Sequence, residues 1–296
     1  MNLLVLGSCG FIGSDVCKYF TSQNHTVTGC DLVEHSTEEY TYHKISILSS
    51  DFESLFAEND FDVCINASGS GNVGYSIAHP QSDFDGNTIA VSKILDAIKK
   101  YRPSCRLLHI SSAAVYGNPV SLPVNESAAL SPLSPYGYHK LMSELLCREY
   151  SEIYNVPVII IRPFSVFGNG LKKQLFWDTC QKLLHTSNIE LFGTGNETRD
   201  FIHIDDLVKL MQLLIEKATF DGSVYNAACG EETSIKAIAG IFINHFPGNK
   251  KIVFSGNSKA GDPINWKADI SKVKALGFKP GKKLEEEVKN YINWYC

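Results

Sequence analysis

The sequence predicts an α/β fold in which a doubly wound parallel sheet is covered by helices on both faces. Three observations support this prediction. Strand-like and helix-like segments alternate over the first half of the chain, residues 3–6 form an apolar run that leads into a glycine-rich turn, and residues 157–161 are continuously apolar. An unbroken apolar run is typical of a parallel strand buried on both faces. Helices are the usual crossover connections between such strands.

The elements are predicted from their hydrophobic periodicity and their turn residues. Strands are expected at residues 3–6, 26–31, 61–66, 106–110 and 157–161, and helices at residues 12–21, 52–58, 87–101 and 136–154. After residue 167 the pattern becomes irregular and glycine turns are frequent. We therefore assign residues 1–166 to the sheet domain, with residues 200–226 returning to it. Residues 167–199 and 227–296 are assigned to a smaller mixed α/β lobe.

Composition excludes several classes of protein. The chain has 296 residues, 44% hydrophobic and 20% charged, which is ordinary for a globular protein. A net charge of -5 gives no reason to expect nucleic acid or an anionic membrane as a partner. No apolar run approaches a membrane span, and the N-terminal run is needed as a strand rather than as a signal peptide. The nine cysteines are scattered without C-x-x-C spacing, so we expect reduced thiols, no metal site and a cytoplasmic location.

The turn after the first strand has the spacing of a phosphate-binding loop. Gly7, Gly10 and Gly13 recur at every third position before a helix. The first glycine permits a tight turn, the second lets a diphosphate approach the backbone, and the third lets helix and strand pack closely. The N–H groups at the start of the helix favour the same anion. The sequence therefore predicts a dinucleotide site in a Rossmann-type sheet.

Asp31 ends the second predicted strand, 18 residues after Gly13. A carboxylate at this point can accept both ribose hydroxyls of adenosine and would repel a 2′-phosphate. The following residues, 32–35, contain no Arg or Lys that would neutralise such a phosphate. The predicted cofactor is therefore NAD rather than NADP.

Tyr136 and Lys140 form a Y-x-x-x-K motif. Positions four apart share one face of a helix, so the Lys140 ammonium is expected beside the Tyr136 phenol. A nearby cation favours the phenolate and is expected to lower the pKa of Tyr136 from about 10. Such a tyrosine can take a proton from a hydroxyl group and return it. Lys140 is also expected to bind the nicotinamide ribose.

Ser111 and Ser112 follow the strand at residues 107–110, 24 residues or so before the tyrosine motif. Ligands of open parallel sheets bind at the carboxyl ends of the strands. A serine hydroxyl there can hydrogen-bond the oxygen that Tyr136 deprotonates. The sequence thus predicts a Ser–Tyr–Lys catalytic set.

These motifs together resemble the extended short-chain dehydrogenase/reductase family, and more narrowly its nucleotide-sugar epimerases and dehydratases of the UDP-glucose 4-epimerase type. The matching segments occur in order along nearly the whole chain: the glycine motif, Asp31, residues 111–117, the Y-x-x-x-K motif, residues 162–164, residues 199–206 and residues 268–280. The resemblance implies an NAD-dependent enzyme and a homodimer.

The resemblance also implies roles by position. Catalytic residues are Ser112, Tyr136 and Lys140. Cofactor contacts are Gly7, Gly10, Phe11, Ile12, Gly13, Asp31, Ser46, Ile47, Asn87, Tyr136, Lys140 and Phe164. Contacts with the nucleotide sugar are Ser112, Tyr136, Ser165, Arg199, Lys259, Asp262 and Trp266, of which Arg199 matches the arginine on the diphosphate.

The chain departs from the family pattern at several positions. Dehydratases of the family carry an acid pair directly after the catalytic Ser/Thr, whereas Ala113 and Ala114 stand here. Ser46 and Ser165 replace an aspartate and an asparagine, and Lys172 and Lys173 lie in a short basic segment. The leading hypothesis is therefore an NAD-dependent nucleotide-sugar 4-epimerase acting on a UDP-hexose. The alternatives are an NAD(P)H-dependent 4-keto-sugar reductase and a non-catalytic NAD-binding regulator.

Overall fold

The computed structural model describes residues 1–46, 51–257 and 261–296. The strands are β1 (Asn2–Leu6), β2 (Thr26–Asp31), β3 (Thr41–Lys44), β4 (Val63–Asn66), β5 (Arg106–Ile110), β6 (Val158–Pro163), β7 (Ser165–Phe167), β8 (Asn188–Leu191), β9 (Thr198–Arg199), β10 (Phe201–His203), β11 (Val224–Ala227), β12 (Thr233–Ser234) and β13 (Lys251–Phe254). The α-helices are α1 (Phe11–Ser22), α2 (Asp51–Glu58), α3 (Val73–Ala78), α4 (Pro80–Phe84), α5 (Ala90–Tyr101), α6 (Pro135–Tyr154), α7 (Gln174–His185), α8 (Ile204–Lys217), α9 (Ile235–His245), α10 (Ser271–Ala275) and α11 (Leu284–Tyr295).

The main sheet is parallel and has the strand order β11-β6-β5-β4-β1-β2-β3. From β1 the chain adds β2 and β3 on one side of the sheet, and it then adds β4, β5, β6 and β11 on the other side. The order of the strands therefore reverses between β1 and β4. In open α/β sheets the ligand crevice lies outside the carboxyl ends of the strands at such a reversal. The glycine-rich turn after β1 and the loop after β4 are therefore placed at the expected crevice. This order confirms the predicted doubly wound Rossmann-type fold.

Helices cover both faces of the sheet, and each face has its own apolar core. One core includes Val16, Phe20 and Leu210 and lies under α1 and α8. The other includes Ile94 and Cys147 and lies under α2, α5 and α6. Because the strands between them are buried on both faces, their continuous apolar runs are explained.

A third apolar cluster forms beyond the main sheet. It joins α7, α9 and α11 around side chains such as Phe176, Phe242 and Tyr291. Residues 201–227 supply β10, α8 and β11, and β11 pairs with β6 of the main sheet. Residues near Trp266 and Phe278 pack into the core under α1 and α8. The C-terminal segment thus links the small lobe to the sheet.

Most predicted elements agree with the structure within a few residues, and the sheet domain also contains elements that were not predicted, among them β3, α3 and α4. The helix expected at residues 87–101 is preceded by a π-helical turn, Asp85–Ile89, so that α5 begins only at Ala90. Strand β3 was not predicted, because its side chains are largely exposed and polar. Across the ranges that the structure describes, no helix is both long and apolar enough to cross a membrane.

Candidate active site

The turn between β1 and α1 is tight, and glycines occupy positions where a Cβ would collide with the backbone. Gly7 has φ +80°, and a Cβ there would lie 2.6 Å from the carbonyl oxygen of Ala67. A Cβ on Gly13 would lie 2.0 Å from the oxygen of Gly7. Helix α1 begins after Gly10 with no capping side chain and no acidic residue in its first turn. Its first N–H groups therefore fit an anion such as the diphosphate of a dinucleotide.

The Asp31 carboxylate is held at the end of β2 by two backbone groups. The N–H of Cys9 donates to Oδ2 at 2.9 Å, and the N–H of Leu32 donates to Oδ1 at 2.7 Å. Strand pairing places Lys44 opposite Asp31, which the sequence alone did not indicate. The Lys44 ammonium, however, binds Glu34 at 2.6 Å on an exposed surface. Asp31 is thus oriented beside the glycine turn, where it fits the ribose hydroxyls of NAD.

We expect Asp31→Ala to lower the affinity for NAD⁺ by about tenfold to a hundredfold, because a hydrogen bond to a charged group contributes about 1.5–3 kcal/mol. Discrimination against NADP⁺ should fall as well. Calorimetric titration of the nucleotide-stripped protein with each dinucleotide measures both effects. Glu34→Gln is the matched control, since within the described parts of the chain the partner of this nearby acid is Lys44. Unchanged NAD⁺ affinity in Asp31→Ala would contradict the ribose role.

Asn87 lies in the π-helical turn and faces the loop after β4. Its Nδ2 donates to the backbone oxygen of Ser70 at 3.1 Å, whereas its buried Oδ1 has no hydrogen-bond partner in the described parts of the chain. A Cβ on Gly69, which has φ +93°, would lie 2.3 Å from that Oδ1. A buried unpaired acceptor beside a side-chain-free loop suits a polar ligand. The arrangement therefore fits the predicted cofactor contact of Asn87.

Tyr136 and Ser112 meet at the carboxyl end of β5. Ser112 caps the 3₁₀ turn Ala113–Tyr116 by accepting from the N–H of Ala114 at 3.1 Å, and its hydroxyl hydrogen-bonds the Tyr136 phenol. The expected lowering of the tyrosine pKa is wrong. Burial raises the pKa of Tyr136 to about 12, and the Ser112 hydrogen bond offsets this only in part. Desolvation is the largest effect on the phenol, and the nearby Asp83 carboxylate adds to it.

Lys140 lies one helical turn after Tyr136 on the buried face of α6. Its ammonium donates to the backbone oxygen of Ile110 at 2.9 Å. Burial lowers the pKa of Lys140 to about 8, and the Asp83 carboxylate partly opposes that shift. The structure therefore brings Ser112, Tyr136 and Lys140 together, as their spacing predicted.

A buried ion pair supports this set, and the sequence analysis missed it. Arg162 donates to both carboxylate oxygens of Glu144, at 2.9 Å from Nε and 2.6 Å from Nη2. Ser111 donates to the same carboxylate, and Arg162 also donates to the Tyr116 hydroxyl at 2.9 Å. Glu144 lies four residues after Lys140, so helical spacing could have placed it on the same face. The pair ties α6 to the strand ends that carry the serines.

A second cluster forms around Arg199. Its guanidinium donates to the backbone oxygens of Thr198 and Ile264 and lies 5.6 Å from the ring centre of Trp266. Asp262 is close enough to oppose the burial that lowers the pKa of Arg199. The Trp266 ring is 8% exposed and contacts Phe164 edge-on at 5.7 Å. Trp266 thus packs against Arg199, and the surface that it leaves for a nucleotide is small.

The other predicted contacts are placed as follows. Phe11 and Ile12 begin α1 and are half-buried. Ser165 begins β7 and donates its N–H to the backbone oxygen of Asp200 at 2.9 Å. Ser46 is exposed, and its N–H donates to Asp51 at 2.6 Å. Ile47 and Lys259 lie outside the described residues.

Comparison with known proteins agrees with this geometry. The profile of the NAD dependent epimerase/dehydratase family matches residues 3–228. The UDP-glucose 4-epimerase of Bacillus subtilis is 27% identical over 316 residues, covering 90% of this chain and 92% of the relative.

Two solved structures share the fold over the whole chain. The UDP-glucuronic acid 4-epimerase of Bacillus cereus, in complex with UDP-glucuronic acid and NAD, has a TM-score of 0.91 and 27% identity and covers 100% of this chain and 99% of that one. The UDP-N-acetylglucosamine 4-epimerase of Methanobrevibacter ruminantium, in complex with UDP-N-acetylmuramic acid, has a TM-score of 0.89 and 25% identity, with 99% and 97% coverage.

Proposed function

The chain belongs to the NAD dependent epimerase/dehydratase family, and we propose that it is an NAD-dependent 4-epimerase of a nucleotide sugar, with a UDP-hexose as substrate. The relatives that support this proposal are 4-epimerases of three different UDP-sugars. The three relatives act on different sugars, so the identity of the sugar has to be measured. The nucleotide and the reacting carbon are common to all three.

The observation that carries the proposal is the Ser112–Tyr136 hydrogen bond, together with the lack of an acid at the two positions that follow the serine. Ala113 and Ala114 directly follow the serine, and Ala113 is fully buried. Neither side chain has a proton to give, so expulsion of water from the sugar has no acid at this point. Oxidation and reduction at one carbon need only a group that moves a proton, and Tyr136 supplies it.

The cofactor contacts follow from the crevice. When bound, NAD supplies a hydride acceptor for C4 of the sugar and a hydride donor for the ketone. The turn of Gly7, Gly10 and Gly13 holds the diphosphate, and Asp31 accepts the adenosine ribose hydroxyls. Lys140 binds the nicotinamide ribose from the buried face of α6.

Tyr136 takes the proton of the 4-hydroxyl and later returns it. Ser112 hydrogen-bonds the same oxygen and fixes its position between the two side chains. The 4-keto sugar turns over within the site, so that C4 is reduced on its other face while Tyr136 returns the proton to the 4-oxygen. Most of the rate comes from holding the hydroxyl in line with the phenol.

Arg199 is the proposed contact for the substrate diphosphate. Its guanidinium is fixed by two backbone oxygens and by Trp266, which leaves its outer N–H groups for an anion. A planar guanidinium suits phosphate oxygens because it can donate two parallel hydrogen bonds. Ser165, Lys259 and Asp262 remain proposed contacts on the same side.

The nucleotide released by the denatured protein tests the proposal. The protein is purified without added cofactor, and its small molecules are identified by mass spectrometry. Near-stoichiometric NAD⁺ is expected, because an epimerase regenerates its cofactor in each turnover. A site that is empty or exchanges freely with added NADH would favour the 4-keto-sugar reductase instead. Bound NAD⁺ without turnover of any nucleotide sugar would favour the non-catalytic regulator.

We also propose a homodimer built on the outer face of α6. Tyr138, Met142 and Leu145 are exposed by 51%, 42% and 53% and share one face of that helix. A contiguous exposed apolar face of this kind marks an interaction surface.

The nine free cysteines favour a reducing compartment, which supports the proposed cytoplasmic location. The proposed domain division remains residues 1–166 with 200–226, against 167–199 with 227–296.

Leu145→Glu is expected to convert this dimer into a monomer, because it places a charge in the apolar interface. Light scattering after size exclusion measures the mass. Val120→Glu, in a fully exposed loop position, is the control and should leave the dimer intact. A wild-type protein that is already monomeric would refute the dimer.

A further inference from the structure

A second ammonium group lies at the catalytic tyrosine. Lys173 directly precedes α7, and its side chain reaches back over the loop after β4. Its Nζ lies 3.6 Å from the point where a Cβ on Gly71 would be, and the Tyr136 hydroxyl lies 3.9 Å from the same point. The two atoms are therefore no farther apart than the sum of these distances, 7.5 Å. Gly71 has no side chain to separate them.

Among the described residues, no carboxylate lies within ion-pair distance of the Lys173 ammonium. In the described ranges, no hydrogen bond or ion pair joins it to another residue. Its residue as a whole is exposed, yet its charged end is desolvated enough to lower the pKa of Lys173. It also lies near enough to Lys140 to contribute to the lowered pKa of that lysine. A charged group that is kept in a desolvated position is a candidate for a functional role.

The charges around Tyr136 come from several elements. Asp83 of α4 disfavours the phenolate, but its Oδ2 is bound to Nδ1 of His139 at 2.6 Å. Ser112 stabilises the phenolate by a hydrogen bond, and Lys140 lies behind the phenol on α6 with its ammonium on the Ile110 oxygen. Lys173 approaches the phenol across Gly71. Two ammonium groups therefore lie near a phenol whose protonated form is favoured by burial.

We propose that Lys173 is a positioning residue whose positive charge, together with that of Lys140, favours the ionised form of the Tyr136 phenol. This inference rests on the proposed role of Tyr136 as the group that moves the proton. At a separation of up to 7.5 Å, a unit charge shifts an ionisation by about one pKa unit in a partly desolvated site. Lys173 acts through Tyr136.

The phenol itself gives the test. The protein as purified, with its nucleotide, is labelled with [¹³Cζ]-tyrosine, and the Tyr136 resonance is assigned by its loss in Tyr136→Phe. In Lys173→Met the onset of phenol ionisation should move to higher pH by about one unit. Lys173→Arg should restore it, since the charge returns. Lys172→Met is the matched control, an adjacent exposed lysine that should leave the titration unchanged.

Turnover gives a second, separable readout. The acid limb of the kcat profile should move by the same amount in Lys173→Met, so that activity lost near neutral pH returns as the pH rises. A raised KM with an unmoved phenol titration would assign Lys173 to substrate binding and overturn the inference. An unmoved titration with unchanged kinetics would overturn it as well. A shifted titration in a protein that turns over no sugar would support the charge effect and refute the proposed function.

Discussion

Tyr136→Phe is expected to lower kcat by about a thousandfold, within the range usual for loss of a general acid–base group. The phenyl ring fills the same buried space, so packing is kept and only the hydroxyl is lost. The phenol that hydrogen-bonds Ser112 and accepts the proton of the sugar hydroxyl is then missing. Steady-state turnover of the nucleotide sugar measures the loss.

The affinity for NAD⁺ in this variant should stay within about twofold of wild type, because the diphosphate and ribose contacts lie elsewhere. Tyr138→Phe is the matched control, since Tyr138 is on the same helix and its side chain is half exposed. A Tyr136→Phe variant with wild-type kcat would refute the assignment of the proton-transfer group. A loss of NAD⁺ binding would show that the substitution disturbs the crevice itself.

Arg162→Met is expected to lower the free energy of unfolding by about 3–5 kcal/mol, because it leaves the Glu144 carboxylate buried without its partner. Arg162 and Glu144 side chains are only 1% and 2% exposed. The remaining donor to Glu144 is the Ser111 hydroxyl, which cannot replace a bidentate guanidinium. Chemical denaturation followed by circular dichroism measures the change.

A double-mutant cycle separates the ion pair from packing. Glu144→Leu combined with Arg162→Met should recover much of the lost stability, since two apolar side chains leave no buried charge. Arg148→Met, at an exposed position of α6, is the surface control. If the single and double variants lose the same free energy of unfolding, the loss comes from changed packing and not from an unpaired buried charge. The double variant should still lose turnover, because Ser111 and α6 are no longer tied together.

Local spacing was enough to predict much of the site. The glycine turn, Asp31 at the end of β2 and the pair Tyr136–Lys140 depend on positions close in sequence, and the structure places them at one crevice. The sequence placed Ser111 and Ser112 together at the strand end, and only the family resemblance, through the position of Ser112 four residues before Tyr116, separated them. Ser111 is instead buried against Glu144.

Tertiary contacts account for what the sequence did not indicate. Strand pairing places Lys44 opposite Asp31, and Lys173 approaches Tyr136 across a glycine in a distant loop. The prediction for the pKa of Tyr136 was wrong because the motif indicates a nearby lysine but not how deeply the phenol is buried. Strand β3 was missed because an exposed polar strand lacks the apolar signal of its neighbours. The contacts of Arg199 likewise depend on a segment some 65 residues later in the chain.

The fate of the hydrogen at C4 tests the central claim most directly. UDP-glucose, UDP-N-acetylglucosamine and UDP-glucuronic acid, each with deuterium at C4, are incubated with the protein without added cofactor, and the products are followed by NMR. We predict that one of them yields its C4 epimer with deuterium still on C4, because the hydrogen leaves and returns within one site. Formation of no epimer, with turnover only when a 4-keto sugar and NADH are supplied, would contradict a 4-epimerase.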